Sequence, residues 1–329
     1  MRKLLCINSS FNNPYINLAT EEYLLKNTEH DIFMLYSNTP SIIIGKHQNA
    51  LSEINLDYVE KNQLKVVRRL SGGGTVYHDS GNVNYSWIMH GEQGKIIDFK
   101  KYTDDISVYL QSLAVHATRN KNNDLLIDGK KISGNAEHIF KNKLIHHGTL
   151  LFSTELDKLT NAIKVDLNRF KDKSVQSKRS RVTNISYYLK KDISIQKFCQ
   201  GLLNFIIAKY DNAIKYQLSK EQLGFIKQLS TEKYNSWDWN FGYSPKYLFK
   251  KELQVQNNTV SISLYIKKGK ILDIEFVGNF FNDEEISIFK KNIIGIKHRK
   301  ADIQKIVQME SFKVIFNKLS RENILGLFF

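Results

Sequence analysis

The chain has 329 residues, 42% of them hydrophobic, which suffices for about two domains with packed cores and excludes a disordered chain. Lysine and arginine outnumber aspartate and glutamate by 48 to 33, and the net charge of +15 favours an acidic partner: nucleic acid, an anionic membrane or an acidic protein surface. The two cysteines share no metal-ligand or disulfide spacing, and the lack of a signal-peptide pattern or a run of about 18 apolar residues predicts a cytoplasmic protein without a membrane span.

The N-terminal part of the chain predicts one helix among several strands. Asn17 is expected to cap a helix that ends near Leu25, with Glu21 and Glu22 close to its positive N-terminal end. Apolar patterns predict the neighbouring elements, which are strands over residues 3–7, 32–36 and 41–44 and a helix over 56–62.

Residues 68–79 are the most unusual stretch: Arg-Arg-Leu-Ser-Gly-Gly-Gly-Thr-Val-Tyr-His-Asp. Successive glycines let main-chain N–H groups approach an anion closely, and arginine offers a planar fork of donors for phosphate or carboxylate oxygens. The pattern predicts a loop that binds a phosphate-bearing ligand, with a purely structural turn between strands as the alternative. Strands are expected over 64–69, 75–78 and 83–89, the last two forming a hairpin that holds His78 beside the loop. A strand rather than a helix follows the glycines and the Gly-Lys-Ser/Thr ending is missing, so the motif is neither a dinucleotide fingerprint nor a Walker A loop.

A second unusual cluster lies in residues 124–136, where Asp128-Gly129 predicts a hairpin turn between two strands. Because side chains alternate along a strand, Lys130 and Lys131 must point to opposite faces, so one can be buried toward a site while the other is solvated. The small residues that follow leave room for a ligand. Two solvated lysines beside a turn are the alternative.

A strand predicted over residues 144–152 carries His146 and His147. Neighbouring side chains of a strand lie on opposite faces, so this pair cannot chelate one metal ion by itself. A structural or pocket-wall role is expected, and no metal is assigned to it.

The second half of the chain divides into a helical part and a final strand-rich part. Residues 171–184 are basic and serine-rich, which favours a solvated surface loop, a lid or a partner contact. A strand pattern that begins near residue 248 predicts a domain over 1–247 and a smaller one over 248–329. The other expected elements are helices over 102–117, 194–209, 219–230, 283–291 and 301–309, and strands over 260–266 and 271–276. We therefore expect an α+β fold, with mixed, largely antiparallel sheets flanked by helices and a small α/β C-terminal domain.

Several motifs occur in order along nearly the whole chain. They are Asn17-Leu18-Ala19 with Glu21-Glu22, the 68–79 loop, Asn123-Asp124, Lys131-Ile132-Ser133-Gly134, His146-His147-Gly148-Thr149-Leu150-Leu151, residues 179–184 and residues 237–242. With these motifs the chain resembles the lipoate–protein ligase family. The resemblance implies a catalytic domain like that of biotin protein ligases and class II synthetases. It also implies a two-step reaction in which lipoate and ATP, with Mg²⁺, give lipoyl-AMP and pyrophosphate, and the lipoyl group then passes to a lysine of an acceptor protein.

The resemblance also implies roles for particular residues. Lys131 is the expected catalytic residue, in contact with the carboxylate-derived oxygen and the phosphate, and Asp124 is the expected Mg²⁺ ligand. The expected ATP and adenylate contacts are Arg69, Ser71, Gly72, Gly73, Gly74, Thr75, Val76, Tyr77, Asn123, Asp124 and Lys131. The expected lipoate contacts are Lys131, His78, Gly74 and His147, around a narrow apolar slot, and no tightly bound prosthetic group is expected.

The implied partners are acidic acceptor proteins, namely the lipoyl domains of 2-oxoacid dehydrogenase E2 subunits and the glycine-cleavage H protein, which a basic ligase would attract. A monomer that binds neither nucleic acid nor membrane is expected. One alternative is an octanoyl- or lipoyl-transferase of the same fold that forms an acyl-cysteine, which needs a reactive cysteine in the pocket. Cys6 and Cys199 lie outside the glycine- and lysine-bearing motifs, which argues against this alternative. The other alternative is a non-enzymatic, basic nucleic-acid-binding protein. The positive charge is dispersed along the chain, which argues against this alternative.

Overall fold

The computed structural model describes residues 2–91, 98–255, 258–278, 283–309 and 319–329. The chain divides into two compact units. The first consists of Met1–Lys46, Tyr58–Ile163 and Ser177–Ser236, and the second of His47–Asp57, Lys164–Gln176 and Trp237–Phe329. Two short internal segments thus group with the C-terminal residues, and the boundary between residues 247 and 248 stays a prediction.

The elements are numbered in chain order. The strands are β1 (Leu4–Asn8), β2 (Asp31–Tyr36), β3 (Ser41–Ile44), β4 (Lys65–Arg68), β5 (Val76–His78), β6 (Asn82–His90), β7 (Thr118–Arg119), β8 (Leu125–Ile127), β9 (Lys130–Ser133), β10 (Asn135–Phe140), β11 (Lys143–Leu151), β12 (Phe170–Asp172), β13 (Ala213–Lys215), β14 (Tyr247–Val255), β15 (Asn258–Lys267) and β16 (Lys270–Val277). The α-helices are α1 (Pro14–Asn27), α2 (Ala50–Glu53), α3 (Leu56–Lys61), α4 (Phe99–Ser112), α5 (Leu156–Ala162), α6 (Ile195–Lys209), α7 (Lys220–Leu229), α8 (Asp283–Ile293), α9 (Lys300–Val307) and α10 (Arg321–Leu327).

The first unit is built on a six-stranded mixed sheet in the order β10-β11-β6-β2-β1-β13. Strand β1 runs parallel to β2 and β13, and the other pairs are antiparallel. Two three-stranded sheets, β4-β3-β5 and β7-β8-β9, accompany it. Helices α4 and α6 contribute to the same core, where the rings of Tyr109 and Phe198 lie 5.3 Å apart. Each fully buried large apolar side chain stabilises such a core by about 1.5–3 kcal/mol.

The second unit contains the antiparallel sheet β12-β14-β15-β16. Its core includes the fully buried side chains of Phe249, Phe289, Ile303 and Phe328, the last three contributed by α8, by α9 and by the residue that follows α10. The α+β class expected from the sequence is confirmed by this architecture. Across the residues that the structure describes, no helix is long and apolar enough to cross a membrane.

Helix α1 begins earlier than predicted. Asn13, not Asn17, is the N-cap, since its side chain accepts a hydrogen bond from the Tyr15 amide at 3.0 Å, and Pro14 occupies the first helical position. Asn17 lies inside the helix, fully buried, and its amide donates to Asn38 Oδ1 at 2.8 Å. Asparagine suits both a cap and a buried junction between loops, so residue type alone did not distinguish the two positions.

The hairpin predicted from residues 75–78 and 83–89 is wrong. Strand β5 pairs with β3 in the three-stranded sheet, whereas β6 pairs with β2 and β11 in the six-stranded sheet. The alternating pattern identified both strands correctly but carries no information about which partner each strand takes.

Two other predicted boundaries differ. Helix α4 starts at Phe99, because the Asp98 side chain caps it, and ends before Ala114, which has a left-handed φ of 61°. The return strand predicted over 130–136 breaks at Gly134, so that β9 belongs to the small sheet and β10 to the large one. The hairpin at Asp128-Gly129 is confirmed, with φ values of 49° and 72°.

Candidate functional site

The glycine loop, residues 69–75, connects β4 to β5 in the first unit. Arg68, at the end of β4, is fully buried and donates from Nη1 to the carbonyl oxygens of Gly45 and Lys46 at 2.9 and 3.1 Å. It therefore fixes the chain that follows β3 next to the start of the loop.

Arg69 holds the glycine loop from inside. Its guanidinium is 6% exposed and donates to the carbonyl oxygens of Gly72 and Gly74 at 2.5 and 2.7 Å, to that of Ile43 at 3.2 Å, and from Nε to Ser71 Oγ at 3.0 Å. Burial lowers its pKa to about 10, so it is charged at neutral pH. Four of the five guanidinium N–H groups are thus spent on the protein's own chain.

The three glycines have different reasons to be glycine. Gly73 has a left-handed φ of 82°, and a Cβ there would lie 3.0 Å from Arg69 Nη2. A Cβ at Gly74 would lie 3.2 Å from Ser177 Oγ, whereas one at Gly72 would meet nothing within 4 Å. Gly73 and Gly74 are required by conformation and close packing, and the space beside Gly72 is open.

A chain of buried polar groups leads from the loop to helix α1. Ser71 Oγ lies 2.6 Å from His147 Nε2, and His147 Nδ1 lies 3.0 Å from Glu21 Oε2. The other oxygen of Glu21 accepts from the Tyr36 hydroxyl at 3.0 Å and from the Ser86 hydroxyl. Burial, followed by the charge of Glu21, raises the pKa of Tyr36, which therefore stays a neutral donor.

His78 lies beside this chain with one ring nitrogen unused. Its Nδ1 is 2.9 Å from the Asn38 side-chain nitrogen, and that side chain is itself oriented by Asn17. The Nε2 of His78 is buried and has no hydrogen-bond partner within the described parts of the chain. Burial, and then the charge of Arg69, lower the pKa of His78 to about 3, so the ring is neutral and Nε2 carries the proton.

The site has two corners: the glycine loop is the first, and Lys131 with its partner Asp124 is the second. Its ammonium pairs with Asp124 Oδ1 at 2.8 Å, and the two side chains are 25% and 13% exposed. Lys130, on the other side of the strand, is exposed. A Cβ at Gly134 would lie 3.0 Å from both Cε and Nζ of Lys131, so this glycine gives the lysine side chain its space.

The turn before β8 holds Asp124 in place. Asn123 has a left-handed φ of 63°, and its carbonyl accepts from Asn135 Nδ2 at 2.7 Å. The Asp124 amide donates to Asn120 Oδ1 at 3.0 Å, and Asn120 Nδ2 donates to Asp124 Oδ2 at 3.3 Å. The Asn123-Asp124 pair predicted from the sequence is thus a rigid turn that aims one carboxylate at Lys131.

Residues 177–183, which we call the bridging segment, connect the two corners. Ser177 Oγ accepts from the Thr75 amide at 2.8 Å, the Lys131 amide donates to Arg181 O at 2.7 Å, and the Thr183 amide donates to Lys131 O at 3.1 Å. The prediction of a plain surface loop over 171–184 is therefore incomplete, since its first residues belong to β12 and its last ones bind both halves of the site.

The remaining predicted residues lie on the strands around these corners. His147 and His146 face opposite ways, as expected: His146 Nδ1 lies 2.9 Å from Glu137 Oε1, away from Ser71. Val76 is half-buried in β5 and Tyr77 is buried. In the described ranges no group of three or more His, Cys, Asp or Glu side chains is arranged to hold a metal ion.

Sequence reasoning assigns no site role to Glu21, Asn38 or Ser177. Glu21 was expected near the helix end, but it is 3% exposed in the helix interior and receives three hydrogen bonds. An acidic pair at 21–22 among apolar residues was the available signal, because a buried carboxylate needs such partners. Asn38 and Ser177 carried no distinguishing pattern.

Two family descriptions match this chain. Residues 13–207 match the lipoyl protein ligase A/B catalytic domain, and residues 244–328 match the bacterial lipoate protein ligase C-terminus. The chain is 38% identical over 326 residues to lipoate-protein ligase LplJ of Bacillus subtilis, covering 98% of each protein. It is 37% identical over 322 residues to lipoate–protein ligase 1 of Staphylococcus aureus, covering 97% of this chain and 98% of that one.

Solved structures give a matching result. A lipoate-protein ligase A bound with ATP superposes with a TM-score of 0.62 at 26% identity, covering 74% of this chain and 99% of that one. P. falciparum LipL1 in complex with lipoate gives 0.61 at 25% identity over 98% of both chains. A bipartite ligase from Thermoplasma acidophilum, described with its E2 lipoyl domain, gives 0.62 at 26% identity, covering 74% of this chain and 96% of that one.

Proposed function

The chain belongs to the lipoate–protein ligase family, and from this premise we propose that it activates lipoate with ATP to lipoyl-AMP and transfers the lipoyl group to a lysine of an acceptor protein. The observation that carries this proposal is the arrangement of the Lys131–Asp124 pair and the open glycine loop, joined by the bridging segment in one unit.

In the first step a lipoate carboxylate oxygen attacks the α-phosphorus of ATP, and the bond to the β-phosphate oxygen breaks to release pyrophosphate. Two anions must be held together while negative charge develops between them. We assign this task to the Lys131 ammonium, which is half-buried, positioned by Asp124 and given space by Gly134. In the second step the acceptor amine attacks the acyl carbon, an amide forms and AMP leaves.

The glycine loop is proposed to hold the adenylate through its backbone. Main-chain groups beside Gly72 are approachable, and Gly73, Gly74, Thr75 and Val76, which are partly or fully exposed, continue the same surface toward β5. The side chains of Ser71 and Tyr77, also predicted to contact the adenylate, are buried. Because Arg69 spends four hydrogen bonds on the loop, we propose that it supports phosphate binding mainly by shaping the loop.

His78 and His147 are proposed to border the lipoate slot. The neutral Nε2–H of His78 is buried without a protein acceptor in the described residues, and such a donor is satisfied when a bound molecule supplies an acceptor. His147 cannot act in this way, since both of its ring nitrogens are engaged.

Mg²⁺ is proposed to bind with the ATP phosphates. One carboxylate together with phosphate oxygens and water is a common magnesium environment, and Asp124, with Asn123 shaping its turn, offers that carboxylate next to Lys131. The metal would supply neutralisation of phosphate charge. Within the protein, Asn120 orients the Asp124 carboxylate for this role.

The acceptor is proposed to be a lipoyl domain or the glycine-cleavage H protein. The net charge of +15 supports attraction of an acidic domain, a contribution to association rate that salt would weaken. Monomeric state and cytoplasmic location stay predictions.

The cysteine-dependent transferase is disfavoured. Burial raises the pKa of Cys6 to about 12 and that of Cys199 to about 11, so neither thiol is a ready thiolate nucleophile at neutral pH. A Cys6→Ala, Cys199→Ala double variant should keep its ligase activity, and its complete loss would favour the transferase.

Lipoate-dependent exchange of labelled pyrophosphate into ATP tests the proposed function. We expect exchange only with lipoate and Mg²⁺ present, and transfer of lipoyl to an acceptor domain when one is added. Omission of lipoate is the control. Absence of exchange from folded protein with both substrates present would overturn the proposal and leave the cysteine-dependent transferase and nucleic-acid binding as the functions to test.

A further inference from the structure

The buried chain from Arg69 to Glu21 consists of hydrogen bonds that can all run in one direction. Arg69 Nε can only donate to Ser71 Oγ, which lies 3.0 Å away. At the other end, an ionised Glu21 carboxylate can only accept, and it lies 3.0 Å from His147 Nδ1. These two ends therefore constrain where the protons lie on the two groups between them, the Ser71 hydroxyl and the His147 imidazole.

The Glu21 carboxylate requires the proton of His147 on Nδ1, because an unprotonated Nδ1 would present a lone pair to an acceptor. In the neutral imidazole Nε2 is then bare and accepts from Ser71 Oγ–H across 2.6 Å. The serine oxygen in turn accepts from Arg69, so every donor in the chain has one acceptor. With the proton on Nε2 instead, an unprotonated Nδ1 would face the Glu21 oxygen, and the Ser71 hydroxyl would accept from His147 as well as from Arg69.

The surroundings leave this chain isolated from water. Glu21 and Ser71 are 3% and 1% exposed, and His147 is 7% exposed. Among the described residues, the charged or titratable groups around the imidazole are Glu21 from α1, Arg69 from the loop and three histidines that interact with it electrostatically: His78 from β5, His138 from β10 and His146 from β11. Tyr36 of β2 is bound to Glu21. In such a setting an unmatched polar group is costly, so the arrangement is sharply defined.

We propose that Glu21 is a positioning residue, which fixes the His147 tautomer and through Ser71 and Arg69 holds the glycine loop in its binding conformation. Within the described residues, the hydrogen bonds of Glu21 go to Tyr36, Ser86 and His147, which all lie outside the loop. Its influence passes through two side chains from different elements, β11 and the loop, that only the fold brings together.

The inference rests on the proposed function only for its effect on activity. If the loop holds the adenylate, reversal of the chain turns the Ser71 hydroxyl, which must then accept from both His147 and Arg69, and weakens one of the four hydrogen bonds by which Arg69 shapes the loop. A displacement of about 1 Å at such a site can lower a rate by up to about 100-fold.

The test uses the full chain with ¹⁵N-labelled histidine and measures which ring nitrogen of His147 carries the proton. The resonance is assigned by its loss in His147→Gln. We expect Nδ1–H in the wild type and an unchanged tautomer in Ser71→Ala. In Glu21→Gln we expect a shift of the proton to Nε2, because the amide oxygen accepts from the Tyr36 and Ser86 hydroxyls and its NH2 group then faces Nδ1. Glu22→Gln is the matched control, because Glu22 is equally buried in the same helix but binds Lys26, Lys233 and Tyr234.

The activity arm measures pyrophosphate exchange. Glu21→Gln should lower the rate by about 10- to 100-fold with a raised KM, while Glu22→Gln should stay within a few-fold of wild type.

A wild-type proton on Nε2, or a Glu21→Gln tautomer equal to wild type, overturns the inference. If Glu21→Gln fails to fold, the wild-type and Ser71→Ala tautomers still decide it. Absence of exchange in the wild type would refute the proposed function and leave the tautomer result standing.

Discussion

The glycine loop and the Lys131 corner each place a cation in the candidate site, but they use it differently. Arg69 is 6% exposed and has four hydrogen bonds to its own chain. Lys131 is 25% exposed at the side chain and has one ion pair, to Asp124. The buried arginine is committed to structure, whereas the half-buried lysine can exchange its partner for a ligand.

The difference teaches that residue type and motif do not separate a supporting cation from a reacting one. Both residues stand in motifs that suit anions, and both were predicted to contact the same ligand. What separates them is how many of their donors the protein already uses. The comparison therefore predicts opposite effects of substitution on stability and on activity.

Arg69→Ala should show the largest effect, and on stability. It leaves three carbonyl oxygens without their donor and the buried Glu21 without a nearby cation, so we expect a loss of about 3–5 kcal/mol in unfolding free energy. Urea unfolding followed by fluorescence measures it. A loss below about 1 kcal/mol with abolished exchange activity would mean that Arg69 acts on the ligand directly.

Lys131→Ala should show the reverse pattern. We expect pyrophosphate exchange to fall by about 10²–10³-fold, because the cation between the two reacting anions is gone. Unfolding free energy should change by no more than about 1 kcal/mol, as for other partly exposed ion pairs. Lys130→Ala, on the exposed side of the strand, is the control and should keep most of the activity. Equal losses in the two variants would contradict the proposed role of Lys131.

Two glycine substitutions sharpen the same contrast. Gly73→Ala forces a left-handed φ on an L-residue and crowds Arg69, and should cost about 1–2 kcal/mol of stability. Gly134→Ala meets only the flexible end of Lys131, so stability should change by less than about 1 kcal/mol while exchange falls by at least about tenfold. Parallel unfolding and exchange assays decide it, and a stability loss in Gly134→Ala equal to that in Gly73→Ala would remove the distinction.

Ser177→Ala should have the smallest effect. It takes one acceptor from the Thr75 amide, which corresponds to about 1 kcal/mol for a hydrogen bond of this kind. We expect a KM increase of a few-fold in the exchange assay with little change in kcat, and Ser180→Ala in the same segment is the control. A fall in kcat comparable with that of Lys131→Ala would place Ser177 at the reacting atoms.

Much of the fold could be predicted where the signal is local. Asp128-Gly129 predicted its hairpin turn by residue types that accept left-handed backbone, and the turn is present. The helix predicted over 219–230 is confirmed as α7, where Ser219 and Gln222 form a capping box.

The rest depended on contacts between residues far apart in the sequence. Alternation could not tell that β5 joins β3 while β6 joins β2, because it predicts which face of a strand is buried and not which strand lies beside it. Asn17 was predicted to be a helix cap because asparagine is a common cap residue. Its amide instead donates to Asn38 at a buried junction, a role that asparagine fills equally well. The hydrogen bonds of Arg69 to the protein's own chain could not be predicted either, because its acceptors at Ile43 and Gly74 come within hydrogen-bond distance only in the folded chain.

The length of the bridging segment also limits the distance between the two corners of the site. Ser177 binds next to the loop and Arg181 next to Lys131, and the four residue steps between them span at most about 14 Å when fully extended. The length of chain here therefore sets an upper limit on how far the two corners can separate. Insertions would relax that limit and deletions would tighten it, so this stretch should tolerate changes of residue type better than changes of length.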